Sequence, residues 1–344
     1  MRELFALFLV LILSGQATQA ANIAFGSCLR QWNKQPVWDG VLSVDPELFI
    51  FAGDNVYTDA GPFIFLPQPY RIGEAYKQLA EDKGFARLRA SVPILATWDD
   101  HDYGRNDAGE EYRHKVASKQ HFMDFFDVPE TAPMRNRPGI YAVHDVNVDG
   151  VHVQVLLLDT RTFRSSLYLV PANERCNRTH AAPDTDETVT MLGDEQWEWL
   201  EQQLRKPAQV RLLVSSIQVI PEQHCFEKWA NFPNERQRLL DALQNADGRV
   251  VIISGDRHLG EISGYGDGAV IHEITASGLN SAGAGFGEAN HHRLLPKNVR
   301  VDHFGVIDLQ RTGDGVALSL QLRDVTGKVL QHIDLPQEHG RSLP

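Results

Sequence analysis

The apolar positions of this chain fall into short continuous runs. "NIAFGSC", "LFIFAGDNVY", "VPILATWDDHD", "VHVQVLLLDTR", "RLLVSSIQVI", "VVIISGDRHL" and "GAVIHEITASG" are rich in β-branched and aromatic residues, and several do not alternate with polar ones, as in strands buried on both faces. Between them "GDEQWEWLEQQLRK" and "NERQRLLDALQN" place apolar residues at helical spacing. The pattern predicts an α/β sheet system with covering helices. Near the C-terminus it changes: "HFGVIDLQR", "GVALSLQLRD" and "KVLQHIDL" alternate and are separated by "TGDG" and "VTGK", which predicts an antiparallel meander completing a second sheet.

With 344 residues the chain can bury a large core. No repeat, low-complexity block or long linker interrupts it, so a single domain over 21–337 with a short tail at 338–344 is the simplest organisation. A net charge of -12 disfavours a nucleic-acid partner or a membrane-surface role. It leaves room for a small anion, because a bound metal inverts the field of an acidic site. The opening "MRELFALFLVLILSGQATQA" has a basic start, a short apolar run and small residues at Thr18 and Ala20. This is the layout of a secretory signal peptide over 1–20, and it predicts a periplasmic or secreted protein without a membrane span. In an oxidising compartment three cysteines leave one over. Cys176 and Cys225 lie in polar loops and could pair; Cys28, at a strand end, is either an ordinary buried thiol or a metal thiolate.

Five apolar runs end in chemistry: Cys28; Asp54 with Asn55 and Tyr57; Asp99 to Asp102; Asp159 with Arg161; Asp256 with His258. In α/β sheets the carboxyl ends of strands line the ligand crevice, so these residues are candidates to converge. Crowded like charge such as "WDDHD" needs a compensating cation if it is buried. Carboxylates with histidine suit Mg, Ca, Mn, Fe or Zn.

"GDNVY", "WDDHD" and "SGDRH", preceded by "GSC", resemble the metallophosphatase motifs GDxxD, GNH(D/E) and GHxH in the form found in the alkaline phosphatase D (PhoD-like) family of secreted phosphoesterases. "LLLDTR", "LGDEQWEWL" and "EKWANFPNERQRLL" are similar to further segments of that family, and the likeness runs from about Asn22 to about Gly278. The resemblance implies two mixed sheets packed as a sandwich with helices on the outer faces. It implies that Asp54 bridges two metal positions, that Cys28 and Tyr57 ligate iron(III), and that Asp256 and Asp100 are further ligands, with calcium as the second ion. Asp100 stands where other metallophosphatases have Asn, which leaves Asp99 and Asp100 both open as ligands.

A site of this kind hydrolyses phosphate monoesters or diesters with a metal-activated hydroxide. His101 then donates a proton to the leaving alkoxide or orients it. His258 is a ligand or a phosphate contact, and Arg161 is either the best candidate for a phosphate clamp, steadied by Asp159, or the partner of Asp159 in a structural pair. Two other readings remain: a phospholipid phosphodiesterase, and a non-catalytic extracellular domain stabilised by calcium. The glycine-rich "GLNSAGAGFGEANHH" lacks a nucleotide-binding layout and reads as a mobile loop at the site mouth; "GPFIFLPQPY" reads as an apolar loop that could cover the cleft.

Overall fold

The computed structural model describes residues 21–268, 270–283, 289–313 and 315–335. The segment expected to be a signal peptide, the tail and part of the glycine-rich segment lie outside the described residues. In chain order the strands are β1 (Ala21–Gly26), β2 (Leu48–Ala52), β3 (Ile94–Thr97), β4 (Ala142–Val148), β5 (Val151–Leu157), β6 (Leu169–Val170), β7 (His180–Ala181), β8 (Val210–Ser215) and β9 (Arg249–Ser254). They continue with β10 (Gly260–Tyr265), β11 (Ile271–Ala276), β12 (His303–Thr312), β13 (Gly315–Asp324) and β14 (Val329–Leu335).

Two six-stranded mixed sheets carry the fold, ordered β14-β13-β12-β1-β2-β3 and β10-β11-β9-β8-β5-β4. β1, β2 and β3 run parallel, as do β5, β8, β9 and β11. Three apolar layers explain the continuous runs. In β2 Phe49 and Phe51 face Trp38, Leu79 and Phe85 of the helices Val37–Ser43, Tyr70–Glu81 and Lys83–Ser91. Leu48, Ile50 and Ala52 face the other way, into a core shared with Val153, Leu212 and Ile253 of the second sheet. Leu213 and Ile252 then meet Trp197, Leu200 and Leu240 on the outer helices Gly193–Leu204 and Pro233–Gln244. Both helices read from the sequence are present.

The meander departs from expectation. It forms as β12, β13 and β14, but it extends the first sheet: β12 lies antiparallel to β1, with Ala21 opposite Leu309 and Phe25 opposite Gly305. Strand alternation fixes which face is buried, while the neighbour is chosen by long-range pairing. The result places the tips of β1, β2, β3, β9 and β11 along one seam between the sheets. The segment "GPFIF" is a 3-10 turn, and "PQPY" leads into the helix Tyr70–Glu81. No helix among the described residues is long and apolar enough to cross a membrane.

Candidate metal centre

The tips of β1, β2 and β9 deliver their side chains through an unusual backbone, whereas Asp99 at the tip of β3 is extended. Cys28, Asp54, Asp256 and His258 have φ of 62°, 50°, 66° and 55°, left-handed conformations that cost a non-glycine residue energy and cluster at functional sites. Gly53, with φ 93°, makes the crossing possible: a Cβ there would stand 2.6 Å from Asp99 Cβ and 2.8 Å from Ser216 Cβ. The glycine therefore brings the β2 tip against the acidic packet.

Asp54 is the hub. Its Oδ2 takes a hydrogen bond from the Tyr57 hydroxyl at 3.0 Å and lies 3.5 Å from Cys28 Sγ, while Oδ1 accepts from His101 N at 3.3 Å. Cys28, Asp54 and His258 form one group whose donor atoms could hold a single ion; Asp54, Asp100 and His101 form a second; Asp99, Asp100 and Asp256 form a third. His258 Nδ1 lies 2.6 Å from the Ser281 carbonyl, which fixes the proton there and leaves Nε2 to face Tyr57 at 2.9 Å. The sequence-predicted residues Cys28, Asp54, Tyr57, Asp100, His101, Asp256 and His258 are thus brought to one cleft.

The electrostatics of that cleft are unfavourable without a cation. Burial, then the neighbouring negative groups, pushes the Asp54 carboxyl well above the usual carboxylate range, even though His101 pulls the other way. Burial pushes the Cys28 thiol up to about 11 and the Tyr57 phenol well above its ordinary value. Burial raises Asp256 to about 7 despite Arg257. At Asp100 burial is outweighed by His101, Arg161 and the Asp107 N–H, which bring it down to about 2. A bound cation reverses the cost of ionising such a set. The donor atoms fit one: Asp99 Oδ2, Asp100 Oδ1 and Asp256 Oδ2 are buried and accept no hydrogen bond, although buried oxygens are ordinarily paired. Asp99 and Asp100 each spend one oxygen on protein, Asp99 Oδ1 on Arg161 and Ser216 and Asp100 Oδ2 on Asp107 N, and each keeps the other. Both therefore belong to the candidate ligand set, where the sequence left one or the other.

Arg161 is placed differently from expectation. Its side chain is 0% exposed and its Nε donates to Asp99 Oδ1 at 2.7 Å, with Nη2 facing both Asp99 and Glu227. Asp159 steadies its backbone rather than its guanidinium: Oδ1 accepts from Arg161 N at 2.9 Å, and the carboxylate also accepts from Trp98 Nε1, Ile140 N and Thr162 Oγ1. A guanidinium neutralised by two buried carboxylates is an internal counter-ion rather than a phosphate clamp. Two residues without a role in the sequence reading also belong here. Asp59 Oδ1 lies 2.5 Å from His101 Nδ1, and its only signal was a second acid, five positions after Asp54. Glu227 joins Asp100 and Asp107 in a further acidic group, and it stood inside "EKWANFPNERQRLL" without a role. Cys176 and Cys225 form a disulfide, and Cys28 is free and buried.

With this geometry in view, the family model described as PhoD-like phosphatase matches residues 23–320. "Alkaline phosphatase D" of Bacillus subtilis (strain 168) is 23% identical over 244 residues, 64% of this chain and 40% of that protein, so the chain spans well under half the length of this relative. A solved structure described as that of PhoD has TM-score 0.65 at 18% identity, covering 94% of this chain and 73% of that one. GAP50, "the anchor in the inner membrane complex of Plasmodium", has TM-score 0.62 at 12% identity, covering 94% and 91%. A dimetal phosphatase from Danio rerio has TM-score 0.54 at 13% identity, covering 92% and 99%. Likeness at these identities shows a shared fold.

Proposed function

Because this chain belongs to the PhoD-like phosphatase family, we propose that it is a metal-dependent hydrolase of phosphoric esters acting at the cleft around Asp54. The observation that carries the reading is the set of buried oxygens on Asp99, Asp100 and Asp256 that accept no hydrogen bond, beside a free thiol and a phenol. A fold shared with a protein described as an anchor does not by itself imply turnover; this donor set and the adjacent imidazole support it.

Cys28, Asp54, Tyr57 and His258 would hold iron(III), which thiolate and phenolate suit, and Asp99, Asp100 and Asp256 with Asp54 would hold calcium, which prefers oxygen. Bound metals supply Lewis acidity and a hydroxide near neutral pH. The protein's own part centres on His101. Its ring stacks on Tyr57 at 4.1 Å between centroids and Asp59 engages Nδ1, so Nε2 is the atom left to meet the leaving oxygen. Burial works against its charged form, but Asp100, Asp54 and Asp59 together raise its pKa well above the ordinary histidine value. The imidazolium therefore carries the proton that a leaving alkoxide needs.

Export is part of the proposal, supported by the N-terminal pattern and by the disulfide between Cys176 and Cys225. The substrate is a small phosphate monoester or diester. A phospholipid diester is the second reading, supported by Ile64 and Phe65, 50% and 83% exposed on the turn that follows Asp59.

The test is elemental analysis by plasma mass spectrometry of the wild type and Cys28→Ser, with hydrolysis of p-nitrophenyl phosphate, bis(p-nitrophenyl) phosphate and a short-chain phosphatidylcholine. Iron with calcium, ester hydrolysis, and iron lost in the variant are expected. A wild type that holds calcium alone, unchanged in the variant, and hydrolyses none of the three sinks the enzymatic reading in favour of a calcium-stabilised binding domain.

A further inference from the structure

A phosphoester brings negative charge into a cleft already crowded with carboxylates, so a protein cation has to face it as well. The arginines nearest the acids are engaged. Arg161 is held by Asp99 and Glu227. Arg164 donates Nη1 to Ser165 O and Nη2 to Asp107 O and faces Glu227. Arg71 donates Nη2 to Gly104 O, and Arg257 lies over the Phe226 ring with Nη1 3.9 Å from Asp256 Oδ2.

Arg30 is different. It follows Cys28 by two positions and is half-buried, and its guanidinium carbon stands 5.6 Å from the centroid of the Tyr57 ring. Among the described residues no carboxylate or carbonyl accepts a hydrogen bond from its side chain, and its Nε is buried without a partner. The loop that carries it is fixed on both sides: Arg30 N donates to Asn280 Oδ1 at 2.8 Å, Asn280 Nδ2 returns a hydrogen bond to Arg30 O at 3.0 Å, and Leu29 N donates to Asp54 O at 3.0 Å. The guanidinium is therefore set beside the metal-ligand candidates by the backbone.

The geometry points to Arg30 as the residue that binds a non-bridging oxygen of the substrate phosphoryl group, at the edge of the Cys28, Asp54, Tyr57 and His258 cluster. This rests on the phosphoesterase reading above. An aromatic face stabilises a guanidinium without using its N–H groups, so the fork remains available to an anion. A planar fork matches two phosphoryl oxygens where a lysine offers a point charge. The role the sequence assigned to Arg161 passes to a residue whose charge is not already neutralised.

Calorimetric titration of inorganic phosphate into metal-loaded wild type, Arg30→Gln and Arg30→Lys tests this, alongside KM and kcat for p-nitrophenyl phosphate and the metal content of each protein. Arg30→Gln is expected to weaken phosphate binding by roughly tenfold or more, to raise KM in step, and to keep its metals, with Arg30→Lys recovering part of the loss. Wild-type phosphate affinity and KM in Arg30→Gln, with an active wild type, overturn the inference alone. Loss of metal along with phosphate affinity also overturns it, because Arg30 would then be holding the centre together. A wild type that neither binds phosphate nor hydrolyses any ester overturns the phosphoesterase reading and this inference together.

Discussion

Tyr57 and His258, 201 positions apart, meet with the phenolic oxygen 2.9 Å from Nε2, and the same oxygen lies 3.0 Å from Asp54 Oδ2. One hydroxyl thereby ties the β2 tip to the loop after β9. His258 Nδ1 is committed to the Ser281 carbonyl, so this contact sets which nitrogen faces the cleft.

Tyr57→Phe keeps the ring, which is 1% exposed and packs against Trp32 and His101, and removes only the oxygen. Iron affinity should fall by at least the roughly 10–100-fold that loss of a supporting group costs a metal site. Competition against a graded chelator reads this directly. Equal iron affinity in the variant would remove Tyr57 from the ligand set.

His101 and Asp59 form a second pair, 2.5 Å apart. His101→Ala should lower kcat by about 10²- to 10⁴-fold, the range of a lost general acid, while bound metal stays constant because His101 is not needed by the Cys28 or the Asp256 group. Asp59→Asn should give a smaller loss of kcat, since the ring keeps its stack on Tyr57 but loses the carboxylate that accepts from its Nδ1–H and favours its charged form. If His101→Ala instead empties the site of metal, histidine is a ligand and the proton donor lies elsewhere.

The strand tips were legible through their number: Gly-Asp after a buried run is a common turn and says little alone, but Asp54, Asp99 to Asp102 and Asp256 with His258 end three such runs in one chain. Partner choice was not legible. The alternation in β12 to β14 gave strands and faces, yet whether β12 joins β1 or a strand of the second sheet depends on pairing across almost the whole chain. Arg161 shows the same limit at side-chain scale: Asp159, two residues away, holds its backbone N–H as the sequence suggests, while the fold brings Asp99 and Glu227 to its guanidinium. Asp59 and Glu227 sit in irregular segments, where no periodicity marks a side chain as inward. Arg30 was invisible for a related reason: its value lies in the carboxylates it does not touch.

Glu273 gives a pH dependence away from the metal centre. It is 1% exposed on β11, its carboxylate accepts from Val219 N and Ile220 N, and burial raises it to about 7, with Glu261 contributing. Between about pH 4.5 and 7 the folded protein keeps this proton and the unfolded chain has lost it, so the native state binds more protons and stability falls as pH rises. The contribution is full below about pH 4.5 and gone by about pH 7, of order 3 kcal/mol for one buried carboxyl. Glu273→Gln cannot titrate, so its stability relative to wild type should rise across that window. Urea titrations at pH 5 and pH 7 would refute the assignment if the difference between the two proteins stayed constant.

Arg161 separates a structural cation from a substrate contact. Its guanidinium is the counter-charge of Asp99 and Glu227, all three essentially unexposed. Arg161→Met fills the space with apolar volume and leaves two buried carboxylates facing each other, so the loss should be about 3–5 kcal/mol of stability. Arg161→Lys should not restore it, because one ammonium cannot reproduce the contacts of a fork that meets both acids. A phosphate clamp makes the opposite forecast: Arg161→Met would unfold at the wild-type urea concentration and show its defect only in KM. The midpoint of urea unfolding, followed by tryptophan fluorescence with metals present, distinguishes the two, and an unshifted midpoint would return Arg161 to the substrate.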